Sequence, residues 1–440
     1  MKRQILQQLQ VWRQAKNRNP LILKGVRQCG KTFTLLEFAK TQFPGCHYIN
    51  FEKQPELHAA FAGDLTPQNI LQQLSFLLDV DINPKTELLI FDEIQACPRA
   101  LTSLKYFAEE MPDLAVASAG SLLGLELNPA SFPVGKVDFM SLYPMSFREF
   151  LWALDDNRSV EYLDALDRQT QISTVIHQHL WDRLKWYFIT GGLPKVVDTF
   201  VQAKNNLYVA FNNVRKKQED LIEAYYADIA KHAGKVNAMH IERVFKSVPT
   251  QLAKNQNSTA PRFQFAHIIP GVDRYQRLVG AVDWLKKAGL VIPVPIVGHI
   301  EMPLNAFTKE PLFKLYCFDV GILGAMNKLP PKVILDFDFG TYKGYFAENF
   351  IAEQLQMQKI DGLFCWQKNR AEIEFVTPFD DKIIPIEVKA GHITRAKSLE
   401  KYRALYKPAY SILMNANALS EDAKNKILFL QLYAANWLPL

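Results

Sequence analysis

Cysteine and long apolar runs are both scarce in this sequence. The five cysteines are scattered and show no C-x-x-C spacing; they stand at positions 29, 46, 97, 317 and 365. This pattern argues against a structural zinc site or a disulfide framework, and it favours a reducing compartment such as the cytoplasm. No stretch approaches the roughly 18 uninterrupted apolar residues of a membrane span, so we expect no membrane association. The N-terminal MKRQILQQLQVWRQ reads as an amphipathic polar helix rather than a secretory signal.

The charge balance is only mildly basic. The formal net charge is +6 and the isoelectric point is near 8.8, which is compatible with nucleic acid but weaker than a dedicated DNA-binding domain shows. Internal repeats and low-complexity tracts are lacking as well. A chain of 440 residues is long enough for about two to four domains.

Residues 25–32 read GVRQCGKT and match the phosphate-loop pattern G-x-x-x-x-G-K-[ST]. An apolar strand precedes the loop and a helix follows it, so backbone N–H groups and the helix N-terminus would face a phosphate; a chance match is the alternative. Lys31 is expected to bridge the β- and γ-phosphates, and Thr32 to bind Mg²⁺. The predicted nucleotide-contacting residues of this loop are Gly25, Val26, Arg27, Gln28, Cys29, Gly30, Lys31, Thr32 and Phe33.

The apolar run Leu88–Phe91 ends in two acids, Asp92 and Glu93. Ligands of open α/β sheets bind at the carboxyl ends of the strands, where these carboxylates would emerge. We expect Asp92 to orient the Mg²⁺ water shell and Glu93 to polarise an attacking water. Many strands end in Asp for reasons of turn formation, but the position downstream of a phosphate loop favours the functional interpretation.

The sequence pattern changes in the middle of the chain. Residues 137–200 read as helical, and a long helix is expected to end at Gly191-Gly192. Helices at His240–Leu252 and Asp273–Ala288, followed by strands at 290–294 and 312–318, describe a winged-helix unit. The second helix carries Arg274, Arg277, Lys286 and Lys287. These favour either a helix for the DNA major groove or a packed helix with a solvated charged face.

The C-terminal region carries a second constellation of charged residues. A hairpin whose strands contain Glu374 and Glu387-Val388-Lys389 would bring these three charged side chains together, with Glu348 reaching in from the preceding helix. Two such acids can hold Mg²⁺, and a lysine can activate a water for attack on a phosphodiester. The arrangement resembles the PD-(D/E)xK nuclease core, with Ile373 where a proline is commoner and Glu374 where aspartate is commoner.

Taken in order, the motifs resemble those of bacterial and archaeal P-loop ATPases that join an AAA-type, STAND-like domain to a C-terminal domain of unknown function. They are the phosphate loop, LLIFDEIQ, SAGS, LYPMSFREF, GGLPKVV, KLYCFDVGIL, the G-x-x-x-E helix at 344–348 and IPIEVKAG. The resemblance implies that Pro194, in the G-x-P motif at 192–194, lies near adenine. It leaves the arginine finger open among Arg148, Arg99 and Arg183.

The predicted fold is α/β. Residues 1–150 form a P-loop ATPase core with a parallel sheet, 151–230 a helical lid and connector, 231–330 a winged-helix-like domain, and 331–440 a nuclease-like α/β domain. The predicted catalytic residues are Lys31, Glu93, Glu348, Glu374, Glu387 and Lys389, and the predicted metal ligands are Thr32, Asp92, Glu374 and Glu387.

The sequence thus predicts a cytoplasmic ATPase that uses ATP and Mg²⁺ and whose nucleotide state controls a DNA-associated, nuclease-like module. The alternative is a nucleotide-gated protein-binding switch with a catalytically silent nuclease-like scaffold. DNA, a protein partner and a second copy of the chain all stay open as partners.

Overall fold

The structure is a computed structural model that describes most of the chain. The described residues are 1–121, 133, 135–166, 172–256, 261–271, 274–336, 342–358, 360, 362–391, 396–417, 420–422 and 426–438. The chain divides into two compact units, one formed by residues 2–143 and the other by residues 144–286 and 290–440. No helix within the described ranges has the length and apolarity needed to cross a membrane.

The first unit alternates strands with helices. Its elements are α1 (Ile5–Gln14), β1 (Leu21–Gly25), α2 (Lys31–Gln42), β2 (Cys46–Asn50), α3 (Pro67–Leu78), β3 (Leu88–Asp92), α4 (Pro98–Glu110), β4 (Ala115–Ser121) and β5 (Asp138–Leu142). The strands form one parallel sheet in the order β2-β3-β4-β1-β5. The predicted parallel sheet is therefore confirmed, and the carboxyl ends of β1, β2 and β3 lie at one edge.

The core of this unit follows from its apolar patterning. All five residues of β3 are buried, as expected for a central strand covered on both faces. In α1 the buried residues are Ile5, Leu9 and Trp12, which recur at the spacing of one helix face. The rings of Phe51, Phe61 and Phe91 contact one another in this core, and Phe107 contacts Phe91.

Strand β5 corrects the prediction that residues 137–200 are helical throughout. Asp138–Leu142 pairs in parallel with β1 as an edge strand of the sheet. Its residues are mostly half-buried, and Phe139 is 43% exposed. The segment therefore lacks the clear alternation of apolar and polar residues by which a strand is recognised in sequence.

The second unit begins with helices and ends in a sheet. Its helices are α5 (Phe147–Ala153), α6 (Asn157–Asp164), α7 (Thr174–Thr190), α8 (Pro194–Ala203), α9 (Leu207–His232), α10 (Lys235–Asn255), α11 (Tyr275–Lys287), α12 (Val320–Met326), α13 (Pro331–Asp336), α14 (Tyr342–Met357) and α15 (Lys397–Tyr406). Its strands are β6 (Val291–Val297), β7 (Thr308–Cys317), β8 (Phe364–Lys368), β9 (Ala371–Phe379), β10 (Lys382–Val388), β11 (Ser411–Asn415), β12 (Ser420–Asp422) and β13 (Ile427–Gln431).

These strands form one mixed sheet in the order β12-β13-β11-β10-β9-β8-β6-β7. The hairpin of β9 and β10 is antiparallel, as predicted, and pairs Phe375 with Ile386. Strand β10 continues in parallel to β11, and β11 continues in parallel to β13. The sheet thus contains the C-terminal hairpin at its centre.

The predicted wing, β6 and β7, belongs to this same sheet. The two strands are antiparallel to each other, and β6 joins β8 through two parallel pairs, Ile296 with Cys365 and Val297 with Trp366. The preceding helices α10 and α11 are present. Leu278, Val282 and Leu285 of α11 are buried, as predicted. The sheet therefore combines strands from both sides of residue 330.

Two adjacent glycines end helix α7 in a crowded place. Gly191 has φ +68°, and the N–H of Gly192 donates to buried Asp319 at 2.7 Å. The backbones of Met145 and Gly192 also bond, with 2.6 Å between the Met145 nitrogen and the Gly192 oxygen. A Cβ at Gly192 would lie 2.1 Å from the Met145 oxygen. The motifs LYPMSFREF, GGLPKVV and KLYCFDVGIL therefore meet at one buried point.

We predict that Gly192→Ala lowers the free energy of unfolding by about 2–3 kcal/mol, because the new methyl group overlaps fixed backbone. Gly280→Ala is the matched control. Its Cβ, in the middle of α11, would meet no described atom within 4 Å, so it should stabilise by about 0.5–1 kcal/mol. Urea unfolding followed by circular dichroism measures both changes. Equal stability of the two variants would contradict the close packing at Gly192.

Candidate nucleotide site and C-terminal acid–lysine cluster

The phosphate loop joins β1 to α2. Gln28 and Gly30 have positive φ angles of 70° and 94°, so the backbone turns sharply before the helix. Gly30 occupies the N-cap position of α2 and provides no side-chain cap, which leaves the first turn of the helix able to donate to a ligand. Val26 and Cys29 are buried, and burial raises the pKa of the Cys29 thiol. Cys29 is therefore a packing residue of the loop.

Lys31 and Phe33 lie in the first turn of α2. The Lys31 ammonium donates to the Gly25 oxygen at 3.0 Å and to the Val26 oxygen at 3.2 Å. Lys31, predicted to bridge the β- and γ-phosphates, thus lies against the phosphate loop. Phe33, in the first turn of α2, is 51% exposed. Pro194, the remaining predicted nucleotide contact, is the first residue of α8 in the second unit.

Asp92 lies at the carboxyl end of β3, beside the loop. It is 3% exposed, and its Oδ2 accepts a hydrogen bond from the Thr32 hydroxyl at 3.0 Å. The same oxygen accepts from the Tyr48 hydroxyl at 2.7 Å and from Asn50 Nδ2 at 3.1 Å. The structure therefore brings the two predicted metal ligands of this unit together and adds two residues that sequence reasoning missed.

Glu93 follows directly and adopts a left-handed conformation with φ 50°. Its backbone N–H donates to Asp92 Oδ1 at 3.1 Å, and its carboxylate accepts from Gln95 at 2.6 Å. Such a conformation is uncommon for a residue other than glycine and occurs often at functional sites. Glu93 is thus placed at the same sheet edge as the loop.

The three arginines considered for a finger are all held within their own unit. Arg148 bonds to Asp164 and lies over the ring of Trp437, with 4.5 Å from its Cζ to the ring centroid. Arg183 donates to Asp156 at 3.1 Å. Arg99 donates to the backbone oxygens of Phe61 and Gly63. These contacts do not distinguish any one of the three arginines as a finger.

In the C-terminal sheet, Glu374, Glu387 and Lys389 form a cluster. The Lys389 ammonium lies 3.0 Å from Glu374 Oε1 and 2.7 Å from Glu387 Oε1. Glu374 Oε2 accepts the N–H of Val388 at 3.0 Å. Burial, together with the charge of Glu374, raises the pKa of Glu387 well above its usual value. The sequence prediction that these three residues converge is therefore supported by the geometry.

Glu348, predicted to join this cluster, instead pairs with Lys314 of β7. The Lys314 ammonium lies 2.6 Å from Glu348 Oε2 and 2.7 Å from Glu372 Oε1. Tyr316 also donates to Glu348 at 2.9 Å. Sequence reasoning missed Lys314, although a lysine inside the apolar segment Leu312–Cys317 is itself a signal, because a lysine is seldom buried without a partner.

The charges of these residues compensate one another internally. Burial opposes the charge on each lysine, but the neighbouring carboxylates outweigh it and raise the pKa values of Lys314 and Lys389. Burial raises the pKa of Glu372, while Lys314 outweighs burial and lowers the pKa of Glu348. Among the residues the structure describes, no group of three or more His, Cys, Asp or Glu side chains is placed to hold a metal ion. An ammonium lies between the two carboxylates predicted to bind Mg²⁺.

The region that contains the phosphate loop is similar to a known family. Residues 17–151 match the family model described as an AAA domain (AAA_14). Residues 17–151 are therefore similar to AAA-type P-loop domains, and they are called the AAA domain below. Residues 182–333 and 343–433 match two models described as domains of unknown function, DUF8612 and DUF4143. The AAA domain contains the phosphate loop, Asp92 and Glu93, and the last model contains Glu348, Glu374, Glu387 and Lys389.

Solved structures show only distant similarity. A Walker-type ATPase of Pyrococcus abyssi is 15% identical, with 73% of this chain and 94% of that chain covered and a TM-score of 0.45. A STAND protein with a tetratricopeptide-repeat sensor from Pyrococcus horikoshii is 12% identical, with 80% and 45% covered and a TM-score of 0.28. DnaA of Aquifex aeolicus, bound to AMPPCP, is 12% identical, with 64% and 86% covered and a TM-score of 0.29. No curated protein matches the chain. The similarity to AAA domains is therefore supported by the family match over residues 17–151 and not by these solved structures.

We predict that Lys314→Ala lowers the free energy of unfolding by about 3 kcal/mol, because it leaves buried carboxylates without their counter-charge. Lys217→Ala is the control. Its pair with Asp220 is long, at 3.8 Å, and both side chains are at least a third exposed, so its loss should change stability by less than about 0.5 kcal/mol. Urea unfolding of both variants tests this expectation. A Lys314→Ala variant as stable as Lys217→Ala would contradict the view that this pair stabilises the buried cluster.

Proposed function

We propose that the AAA domain binds and hydrolyses ATP with Mg²⁺, and that the bound nucleotide controls the C-terminal, nuclease-like module. The observation that carries the proposal is the contact between Thr32 and Asp92 beside a complete phosphate loop. The uncapped N-terminus of α2 and Lys31 fit the phosphates of a nucleoside triphosphate. The Thr32 hydroxyl, which donates to Asp92, fits the cation that accompanies it.

The residues of the AAA domain have separate roles in this proposal. The N–H groups at the start of α2 and the ammonium of Lys31 bind the phosphates. Thr32 and Asp92 hold Mg²⁺, which when bound would neutralise charge on the phosphates. Glu93 orients the attacking water and accepts its proton. Pro194 remains a proposed contact for the adenine base.

We predict that Lys31→Ala weakens nucleotide binding, because it removes the positive charge beside the loop. Glu93→Gln should keep binding but lower ATP turnover by about 100-fold or more, since the amide cannot accept a proton. Calorimetric binding and phosphate release measure the two effects. Lys136→Ala and Glu109→Gln serve as controls, because these residues form an exposed pair at 3.1 Å. Unchanged binding and turnover in both Lys31→Ala and Glu93→Gln would exclude this site.

For the C-terminal module, the ion pairs favour the catalytically silent scaffold over a working nuclease. Lys389 lies between Glu374 and Glu387, and Lys314 takes up Glu348 and Glu372. These residues, as placed, do not fit a divalent cation, so we derive no metal-dependent step from them. The module would then act by binding a partner, under the control of the AAA domain.

DNA is the partner that the surface charge of α11 supports. Arg274, at its start, and Arg277, Lys286 and Lys287 along it are exposed, while its apolar side is buried. Exposed basic side chains can contact phosphates, and the strength of such contacts falls as salt rises. A winged-helix-like role for α10, α11 and the β6–β7 hairpin remains part of this proposal.

We predict that the protein does not cleave linear, circular or single-stranded DNA with Mg²⁺ or Mn²⁺, whether or not ATP is present. The reason is that Glu374 and Glu387, the predicted metal ligands of this module, already pair with the Lys389 ammonium. Gel assays of the wild type, with Lys389→Ala and the surface variant Lys217→Ala beside it, test this. Cleavage that Lys389→Ala abolishes and Lys217→Ala retains would overturn the scaffold and establish a nuclease.

A further inference from the structure

Three hydrogen-bond donors from two elements converge on one oxygen of Asp92. Thr32 reaches it from α2, while Tyr48 and Asn50 reach it from β2. Strand β2 lies directly beside β3 in the sheet, and Asn50 is the register partner of Asp92. The contact from Tyr48 is the shortest of the three, at 2.7 Å. The orientation of this carboxylate is therefore fixed mainly by side chains outside the phosphate loop.

Tyr48 is held in place at both its hydrogen-bonding positions. Its side chain is partly buried, and its oxygen accepts from Asn50 Nδ2 at 3.1 Å while its hydroxyl donates to Asp92. The phenol group therefore has a fixed donor and a fixed acceptor, and it is aimed at the Asp92 carboxylate.

Asn50 has a second structural role, in backbone hydrogen bonding, that Tyr48 does not have. Its Oδ1 accepts the backbone N–H groups of Glu52 and Lys53 at 3.1 and 2.9 Å, and its own N–H donates to Gln54. Asn50 therefore also shapes the turn after β2, and a substitution there would disturb the backbone. Removing the Tyr48 hydroxyl takes one donor from Asp92 and one acceptor from Asn50 Nδ2, but it removes none of the hydrogen bonds that shape this turn.

We propose that Tyr48 is a positioning residue that holds the Asp92 carboxylate in place for Mg²⁺. This inference rests on the proposed binding of ATP with Mg²⁺ at the AAA domain. A carboxylate fixed in advance loses little freedom when it meets a cation, whereas a mobile one must be ordered at that moment. The outer partners of metal-binding groups commonly change metal affinity by about 10–100-fold when they are removed.

The test is Tyr48→Phe in the full chain, with binding of a non-hydrolysable ATP analogue measured by calorimetry in excess Mg²⁺ and in EDTA. We expect affinity to fall by about 10-fold in Mg²⁺ and to stay unchanged in EDTA. Tyr106→Phe is the matched control. Tyr106 is a partly buried tyrosine on α4 whose ring contacts Lys105, so its variant should bind as the wild type does in both conditions.

A double-mutant cycle with Asp92→Asn tests whether Tyr48 acts through Asp92. In that background the further change Tyr48→Phe should leave Mg²⁺-dependent binding unaltered. An equal loss of affinity in Mg²⁺ and EDTA, or an undiminished effect beside Asp92→Asn, would overturn the positioning role. So would a Tyr48→Phe protein that binds as the wild type does in Mg²⁺. A wild type that binds no nucleotide in either condition would instead overturn the proposed function itself, and this inference with it.

Discussion

The second unit depends on the buried polar side chains of helix α14. Asn349 exchanges two hydrogen bonds with the backbone of Cys317 on β7, at 2.8 and 3.0 Å, and Gln354 accepts the N–H of Phe147 on α5 at 3.1 Å. Glu348 pairs with Lys314. A buried polar group that loses its partner costs about 1–3 kcal/mol, so a shift of α14 along its axis would break several such bonds at once. One helix thereby fixes the start of the unit, the hairpin strand β7 and the buried Lys314.

Internal lysines neutralise two groups of buried acids in this unit. Lys314 pairs with Glu348 and Glu372, and Lys389 pairs with Glu374 and Glu387. A carboxylate buried without a partner is strongly destabilising, and a protein can answer with a metal ion, with a proton or with a basic side chain. This chain uses the last of these: Lys314 and Lys389 supply positive charge beside the buried acids, while burial raises the pKa values of Glu372 and Glu387. The same set of acids can therefore remain buried without a divalent ion.

Local patterns in the sequence were enough to predict the phosphate loop, β3, α14 and the β9–β10 hairpin, because each depends on neighbouring residues. What was missed depends on distant ones. Lys314 meets Glu348 and Glu372, which lie 34 and 58 positions away along the chain, and Tyr48 meets Asp92 across a separation of 44. Strand β5 was missed because an edge strand that is half-exposed carries little apolar alternation. The prediction that Glu348 joins Glu374 and Glu387 was wrong for the same reason: its partner, Lys314, lies on a strand distant in sequence.

The joining of β6 to β8 has a consequence for the growing chain. During synthesis the β6–β7 hairpin leaves the ribosome before β8 has been made. One edge of β6 is therefore unpaired at that stage. Exposed strand edges recruit foreign strands, and proline protects them because it has no N–H to donate. Pro293 and Pro295 lie within β6, ahead of the two residues that pair with β8. The nascent edge is thus guarded against aggregation while it stays open to the strand that completes the sheet.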